Sequence, residues 1–178
     1  LKGSSTIFQA QIHRRSLKHA TFCSNKEKLA SSKKLRYTAP MHVQIFTDGS
    51  CIGNPGPGGW AAIIRTNGRD NKIEGGEYHT TNNRMELLAV IEAIKLVPEN
   101  STVELFTDSA WVVNTMTKGW RKRKNLDLWD DLDKVTPKKE ITWTWVKGHS
   151  GHPENEDCDT RALLQAGQHK RIARNMDP

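Results

Sequence analysis

The alternation of apolar and polar positions becomes regular from residue 42 and predicts three consecutive β-strands. They run from His42 to Thr47, from Trp60 to Thr66 and from Lys72 to His79. A glycine- and proline-rich loop, CIGNPGPGG, separates the first two strands, and the turn Asn67-Gly68 separates the second from the third. Three strands with such short connections are typical of an antiparallel meander.

From Asn82 the apolar period lengthens to that of a helix, which Pro98 ends. The remaining predicted elements are a strand from Thr102 to Thr107, a helix from Ser109 to about Thr117, a helix from Leu126 to Val135, a strand from Ile141 to Val146 and a helix from about Asn155 to Gln165. The predicted order is therefore βββαβααβα.

This order predicts an α/β fold in which helices flank a five-stranded mixed sheet. Strands separated by helices pair in parallel, so the first, fourth and fifth strands are expected to run in one direction beside the antiparallel meander. Ile141, Trp143 and Trp145 alternate along one strand face and are predicted to lie in the core. The core face of the first helix is expected to consist of Leu87, Leu88, Ile91 and Ile94.

Charge divides the chain into a basic N-terminal arm and a nearly neutral remainder. Residues 1–40 hold nine Lys/Arg and one acid, a net charge of +8, whereas residues 41–178 hold 18 Lys/Arg and 19 acids, a net charge of −1. We therefore predict a disordered arm over residues 1–40, one folded domain over residues 41–168 and a C-terminal tail over residues 169–178.

The arm has three interpretations that composition does not separate. A transit peptide has this Ser-, Lys- and Arg-rich, acid-poor composition, and so does a tether to nucleic acid. In the third interpretation Met41 is the true start, and the arm is a non-native extension. The expected compartment is the cytoplasm, with a mitochondrion or plastid as the alternative if the arm is a transit peptide.

The cysteine count and the hydropathy argue against two classes of protein, disulfide-stabilised domains and membrane-spanning proteins. Cys23, Cys51 and Cys158 are odd in number and far apart, which argues against a disulfide framework and fits a reducing compartment. No apolar run approaches the length of a membrane span. Nothing in the chain implies a protein partner, so a monomer is expected.

Four acidic residues stand in four separate settings where strands end or helices begin. Asp48 and Asp108 follow the similar strand-like runs VQIFTD and VELFTD, Glu86 lies near the start of the first long helix, and Asp159 lies in the last helix. Asp after a strand often only starts a turn or caps a helix. Four such carboxylates that converge at one sheet edge would instead form a site for hard divalent cations.

A cluster of like charges is costly without cations, so at least one carboxylate is expected to have a raised pKa. Two ions about 4 Å apart can activate a water and stabilise the leaving oxygen of a phosphodiester. The glycine-bounded loop that holds His149 is expected beside this site, where an imidazole can transfer a proton. Zinc binding by His149, His152 and Cys158 is disfavoured, because these residues lack the paired spacing of structural zinc sites.

The loop GSCIGNPGPGG is not a nucleotide pocket, because it lacks the Lys-Ser/Thr of a P-loop and the spacing of a dinucleotide fingerprint. Asn54 and Cys51 in this loop could present polar groups to a shallow groove. Asn82 and Asn83, at the head of the first helix, are good capping residues and could also contact sugar hydroxyls and base edges.

Five segments in the same order and spacing resemble the bacterial form of the type 1 ribonuclease H family: TDGSCIGNPGPGG, TTNNRMELLA, FTDSAWVV, NLDLW and WVKGHSGHPENEDCD. The resemblance covers about residues 42 to 167. It implies an endonuclease that cuts the RNA strand of RNA·DNA hybrids with two Mg²⁺ ions, or with Mn²⁺, and leaves 5′-phosphate and 3′-hydroxyl ends. The implied tasks are removal of RNA primers and of R-loops.

The resemblance also implies roles for individual residues. Asp48, Glu86, Asp108 and Asp159 match the metal-binding acids of the family, and His149 matches its proton-transfer or product-release histidine. Positions that touch the minor groove of the hybrid are matched by Cys51, Asn54, Asn82 and Asn83. Thr81 and Asn125 match part of a pocket that grips a DNA phosphate.

Three departures from the family pattern affect substrate binding. Ala110 stands where many members have a Gln, and His79 where an Arg is common. The basic protrusion of the family is shortened to Lys118–Lys124, so we expect Trp120, Arg121 and Lys122 to contact the substrate as part of a reduced handle. The basic arm is a candidate source of the missing charge.

Two other classes compete with this interpretation. A resolvase or integrase on the same fold is disfavoured, because Asn82, Asn83 and His149 lie in hybrid-cleaving motifs. A non-catalytic hybrid-binding module is disfavoured, because a binder has no need of all four acids and the histidine.

Overall fold

A computed structural model describes residues 40–176, so the predicted basic arm, apart from Pro40, lies outside the described residues. The elements are β1 (His42–Cys51), β2 (Gly56–Thr66), β3 (Arg69–Thr80), α1 (Asn82–Lys95), β4 (Thr102–Thr107), α2 (Ala110–Lys118), α3 (Leu126–Val135), β5 (Glu140–Trp145) and α4 (Pro153–Met176). The predicted order of strands and helices is confirmed.

The five strands form one mixed sheet in the spatial order β3-β2-β1-β4-β5. Antiparallel pairing joins β1 to β2 and β2 to β3, whereas β1, β4 and β5 pair in parallel. This arrangement confirms the predicted fold class. β1 is the central strand, with β2 antiparallel to it on one side and β4 parallel to it on the other. The carboxyl end of β1 extends past the end of β4.

Alternating side chains of the sheet bury two apolar layers on its opposite faces. Ile45 belongs to the larger layer, which α1 and α3 complete with Leu87 and Trp129. Phe46 belongs to the smaller layer, which α4 completes with Cys158 and Ala162. The sheet thus lies between α4 on one face and α1 and α3 on the other.

The first two strands are longer than predicted, because most of the glycine-rich loop belongs to the sheet. Gly58 pairs with Cys51 and Gly59 with Ser50, which leaves a short connection between β1 and β2. A Cβ atom on Gly59 would lie 2.1 Å from the carbonyl oxygen of Ala162, so this glycine allows α4 to pack directly on β2.

Two other expectations are wrong. The last helix does not end near Gln165, since α4 continues to Met176 through most of the predicted tail. Trp145 is not a core residue, because β5 is an edge strand and 51% of this side chain is exposed at its end. Ile141 and Trp143 are half-buried and pack against the larger apolar layer. None of the helices within residues 40–176 has the length and apolar character of a membrane span.

Candidate active site

Asp48 and Asp108 are brought together by the parallel pairing of β1 and β4. Thr47 lies opposite Thr107 in the register, so the next residue along each strand is one of the two acids. Asp48 is buried and accepts a hydrogen bond from the backbone N–H of Gly49 at 2.6 Å. The predicted adjacency of the two strands and of their terminal carboxylates is confirmed.

Glu86 reaches the same edge because the first turns of α1 pack directly on β1. A Cβ atom on Gly49 would lie 2.2 Å from the backbone nitrogen of Glu86, an approach that only glycine permits. The Glu86 carboxylate accepts hydrogen bonds from the Asn82 amide at 2.8 Å and from the Ser109 hydroxyl at 2.5 Å. Since Ser109 directly follows Asp108, the second bond ties α1 to the end of β4.

Asp159 and His149 complete the group from α4 and from the loop before it. The Nδ1 atom of His149 lies 3.8 Å from Oδ2 of Asp159, and the imidazole is largely exposed. The preceding Gly148 lies against Asp108, because a Cβ atom there would be 2.5 Å from Oδ2 of that carboxylate. The loop therefore holds the imidazole beside the acids and open to solvent.

Burial and mutual repulsion raise the pKa of three of these acids. Burial, followed by the charge of Asp108, raises the pKa of Asp48 to about 8. The same two causes raise the pKa of Glu86, although the Ser109 hydroxyl and the Asn82 amide oppose the shift. Burial and then the charge of Asp159 raise the pKa of Asp108. The site thus holds more negative charge than its surroundings neutralise.

The donor chemistry of the four acids fits a hard divalent cation. Across residues 40–176 no three His, Cys, Asp or Glu side chains are arranged closely enough to hold a metal ion as they stand. Carboxylates repel one another, however, and a cation is what would draw them together. All four acids offer oxygen ligands from separate segments, which is the donor type that Mg²⁺ prefers.

Zinc does not fit the alternative group of His149, His152 and Cys158. Cys158 lies on the side of α4 that packs on the sheet, and its fully buried thiol donates to the carbonyl oxygen of Phe46 at 3.3 Å. Burial raises the pKa of this thiol to about 12. Both histidines lie on the exposed loop, whereas the Cys158 thiol is buried and protonated. The three side chains therefore do not form a zinc site.

A cleft of about 620 Å³ lies between the head of α1 and the segment that precedes α3. It is lined by Asn54, Thr81, Asn83, Trp111, Trp120, Arg121, Arg123, Lys124 and Asn125. Thr81 and Asn125 occupy the N-cap positions of α1 and α3, yet neither side chain makes a capping hydrogen bond. Their polar groups therefore remain available to a ligand in the cleft, as the resemblance implies.

Three predicted substrate contacts have other partners in the fold. Asn82 donates from its backbone to Asn54 and from its side chain to Glu86. The Cys51 thiol faces the carbonyl oxygens of Gly56 and Thr80 at 3.5 and 3.4 Å. These bonds fix the groove between the β1–β2 connection and α1, and substrate contact by Asn82 and Cys51 stays a prediction.

Lys122 pairs with Asp133 of α3 at 2.5 Å and lies over the ring of Trp129. Arg123 and Lys124 line the cleft instead.

Trp111 also lines the cleft, although sequence reasoning missed this residue. The only signal for Trp111 was an aromatic side chain at the start of a helix, three residues after a candidate catalytic acid.

Comparisons with known proteins show the family to which the chain belongs. A family model for RNase H matches residues 40–166. The ribonuclease H of Nitratidesulfovibrio vulgaris (strain DSM 19637 / Miyazaki F) is 51% identical over 139 residues, which cover 70% of this chain and 89% of that protein.

Two solved structures share the fold. LC9-RNase H1, a type 1 RNase H with the type 2 active-site motif, matches with a TM-score of 0.65 and 30% identity, covering 74% of this chain and 75% of that one. LC11-RNase H1 in complex with RNA/DNA hybrid matches with a TM-score of 0.60 and 21% identity, covering 71% of this chain and 97% of that one. The chain belongs to the ribonuclease H family and is an endoribonuclease.

Proposed function

We propose that this protein hydrolyses the RNA strand of RNA·DNA hybrids endonucleolytically and leaves 5′-phosphate and 3′-hydroxyl ends. Its cellular tasks are the removal of RNA primers and of R-loops. The observation that carries the proposal is the convergence of Asp48, Glu86, Asp108 and Asp159 beside the exposed His149. Among similar folds, LC11-RNase H1 was solved with an RNA/DNA hybrid.

The four acids are the residues that would hold a pair of Mg²⁺ ions, with Mn²⁺ as an alternative. When bound, such ions acidify a water and neutralise charge on a phosphodiester. The raised pKa of Asp48 supports this assignment, because a buried carboxylate among like charges gains most from a cation.

The side chains around the acids orient them and handle protons. The hydrogen bonds from Ser109 and Asn82 fix both oxygens of Glu86. His149 is exposed and near Asp159, so it can exchange a proton with solvent at the edge of the site. Because Gly148 has no side chain, the loop that carries His149 can lie against Asp108 without displacing its carboxylate.

The cleft supplies the preference for a hybrid duplex. Asn83 and Asn54 are exposed at its rim and can reach 2′-hydroxyls and base edges across a wide, shallow minor groove. Arg121, Arg123 and Lys124 are exposed cations on the other wall and suit the phosphates of the second strand.

Cleavage of an end-labelled hybrid in Mg²⁺ tests the proposal, with duplexes of RNA alone and DNA alone as controls. We expect internal cuts in the RNA strand of the hybrid and intact control duplexes. Asp48→Asn should abolish cutting and retain hybrid binding. Wild-type protein that binds the hybrid but leaves it intact would instead support a binding module, and cutting of the DNA duplex would support a resolvase-like nuclease.

A further inference from the structure

Trp145 ends the last strand of the sheet and is half-exposed, yet its ring is hydrogen-bonded to the site. Its indole N–H donates to the backbone carbonyl oxygen of Asp108 at 2.9 Å. Trp145 belongs to the edge strand β5, and 51% of the residue is exposed. Exposed apolar side chains are common and often have no specific role. Here, however, the only polar atom of the side chain bonds to a residue of the site, which points to more than surface packing.

The contact lies where the backbone pairing of β4 ends. The registers of β4 with β1 and with β5 both end at Thr107, so Asp108 is the first residue beyond the sheet. Asp48 differs, because it still pairs with Ala61 of β2. A neighbouring strand therefore holds the main chain at Asp48, whereas the main chain at Asp108 needs another partner.

Two N–H groups take the place of the missing strand neighbour. The Asp108 carbonyl oxygen accepts from the backbone N–H of Ala110, which starts α2, and from the indole N–H of Trp145. One residue earlier, the backbone N–H of Val146 donates to the carbonyl oxygen of Thr107 at 3.0 Å. The Trp145 side chain thus continues the bonding between β4 and β5 by one residue, as far as the candidate metal ligand.

The position of this main chain matters because the Asp108 carboxylate has little space. Gly148, three residues after Trp145, lies so close that a Cβ atom there would be 2.5 Å from Oδ2 of the carboxylate. A shift of the main chain would press the carboxylate against the loop that carries His149 or turn it away from Asp48. A donor that fixes the carbonyl group therefore acts on the carboxylate without touching it.

We propose that Trp145 is a positioning residue whose indole N–H fixes the main chain at Asp108, so that this carboxylate and that of Asp48 meet a divalent cation together. The inference rests on the proposed cation dependence of the enzyme. It predicts that the loss of the N–H group weakens cation binding, whereas the loss of the rest of the ring matters less.

Trp145→Phe keeps an aromatic ring and removes the N–H group. In calorimetric titration of the full-length protein with Mg²⁺, without nucleic acid, this variant should bind about 2- to 10-fold more weakly than wild type, the effect of one lost hydrogen bond. Trp143→Phe is the matched control, because Trp143 lies on the same strand but packs against the larger apolar layer. The control should keep the wild-type Mg²⁺ affinity even if its melting temperature falls further.

Trp145→His separates the donor from the ring. The five-membered ring of histidine is attached like that of tryptophan and carries Nε2 at the position of the indole Nε1, so it can restore the N–H group while most of the ring is lost. Trp145→His should therefore bind Mg²⁺ more tightly than Trp145→Phe, although phenylalanine is the more similar residue in size and polarity. A role in packing predicts the opposite order.

Cleavage of the hybrid at a Mg²⁺ concentration near the wild-type dissociation constant completes the comparison. The kcat values should follow the Mg²⁺ affinities of the variants, while the KM for the hybrid stays near that of wild type. Wild-type Mg²⁺ affinity in Trp145→Phe, or an affinity in Trp145→His no higher than in Trp145→Phe, would overturn the inference. A rise in KM at unchanged kcat would also overturn it, since the ring would then contact the hybrid instead. Wild-type protein that neither binds Mg²⁺ nor cuts the hybrid would reject the proposed function, so the two failures are distinguishable.

Discussion

The hydroxyl of Ser109 donates a hydrogen bond of 2.5 Å to the carboxylate of Glu86. Ser109 occupies the N-cap position of α2, yet its side chain makes no capping bond there. A residue type that normally stabilises its own helix is used instead to fix an acid on another helix. The bond is therefore a contact of the active site rather than of local secondary structure.

Ser109→Ala should reduce hybrid cleavage about 10- to 100-fold at neutral pH, since a hydrogen bond to a charged group contributes about 1.5–3 kcal/mol. The Ser109 hydroxyl opposes the rise in the pKa of Glu86, so its loss raises that pKa further. The acid limb of the pH–rate profile should then move to higher pH. A profile whose acid limb stays in place would show that the hydroxyl does not act through Glu86.

Asp48→Asn should make the metal-free protein more stable at neutral pH while it abolishes cleavage. The pKa of Asp48 in the folded state, about 8, lies above its ordinary value of 3.8. The folded state therefore binds this proton more tightly than the unfolded state, and stability is lost as pH rises between these two values. Thermal unfolding in EDTA at pH 5 and pH 8 should show a smaller pH dependence for the variant.

The same thermal unfolding experiment with Mg²⁺ added tests whether Asp48 binds the cation. A ligand that binds only the folded state raises its stability, so Mg²⁺ should raise the melting temperature of wild type more than that of Asp48→Asn. Equal shifts for the two proteins would place the cation away from this carboxylate.

Gly148→Ala should reduce cleavage strongly with little loss of stability. The added Cβ atom would lie 2.5 Å from Oδ2 of Asp108, so either the carboxylate or the loop that carries His149 must move. Gly167→Ala is the matched control, because its Cβ atom meets nothing within 4 Å in the middle of α4. The control should retain full activity and gain about 0.5–1 kcal/mol of stability from the higher helix propensity of alanine. Comparable activity of the two variants would remove the steric argument for the loop.

Replacement of both Arg123 and Lys124 by alanine should weaken hybrid binding and lower its salt dependence. Each phosphate contact contributes about 0.9 to the slope of log affinity against log salt on duplex DNA, so a decrease of up to about two units is expected. Lys138→Ala is the control: this exposed lysine pairs with Glu99 near the amino end of β4, the end of the strand opposite Asp108. An unchanged slope in the double variant would show that this wall of the cleft does not meet phosphates.

Deletion of residues 1–40 tests separately whether the basic arm compensates for the shortened protrusion. If it does, affinity falls and the salt slope decreases, because the arm holds all of the excess positive charge of the chain. The same slope with and without the arm would leave compensation to the cleft alone.

The sequence was sufficient to predict the sheet, its strand directions and the adjacency of Asp48 and Asp108, because strand and helix periods are local and parallel pairing follows from the order of elements. The exposure of Trp145 depends on β5 being an edge strand, which periodicity does not reveal. The pairing of Lys122 with Asp133 depends on how the segment before α3 folds back on that helix.

The order of the acids along the chain has a consequence for protein synthesis. Asp48, Glu86 and Asp108 leave the ribosome before α4 exists, and Asp159 is supplied by that helix, the last element of the fold. A nascent chain thus lacks one of its four carboxylates until translation of the domain is nearly complete. The four-carboxylate site can therefore be assembled only after the last helix of the domain has been synthesised.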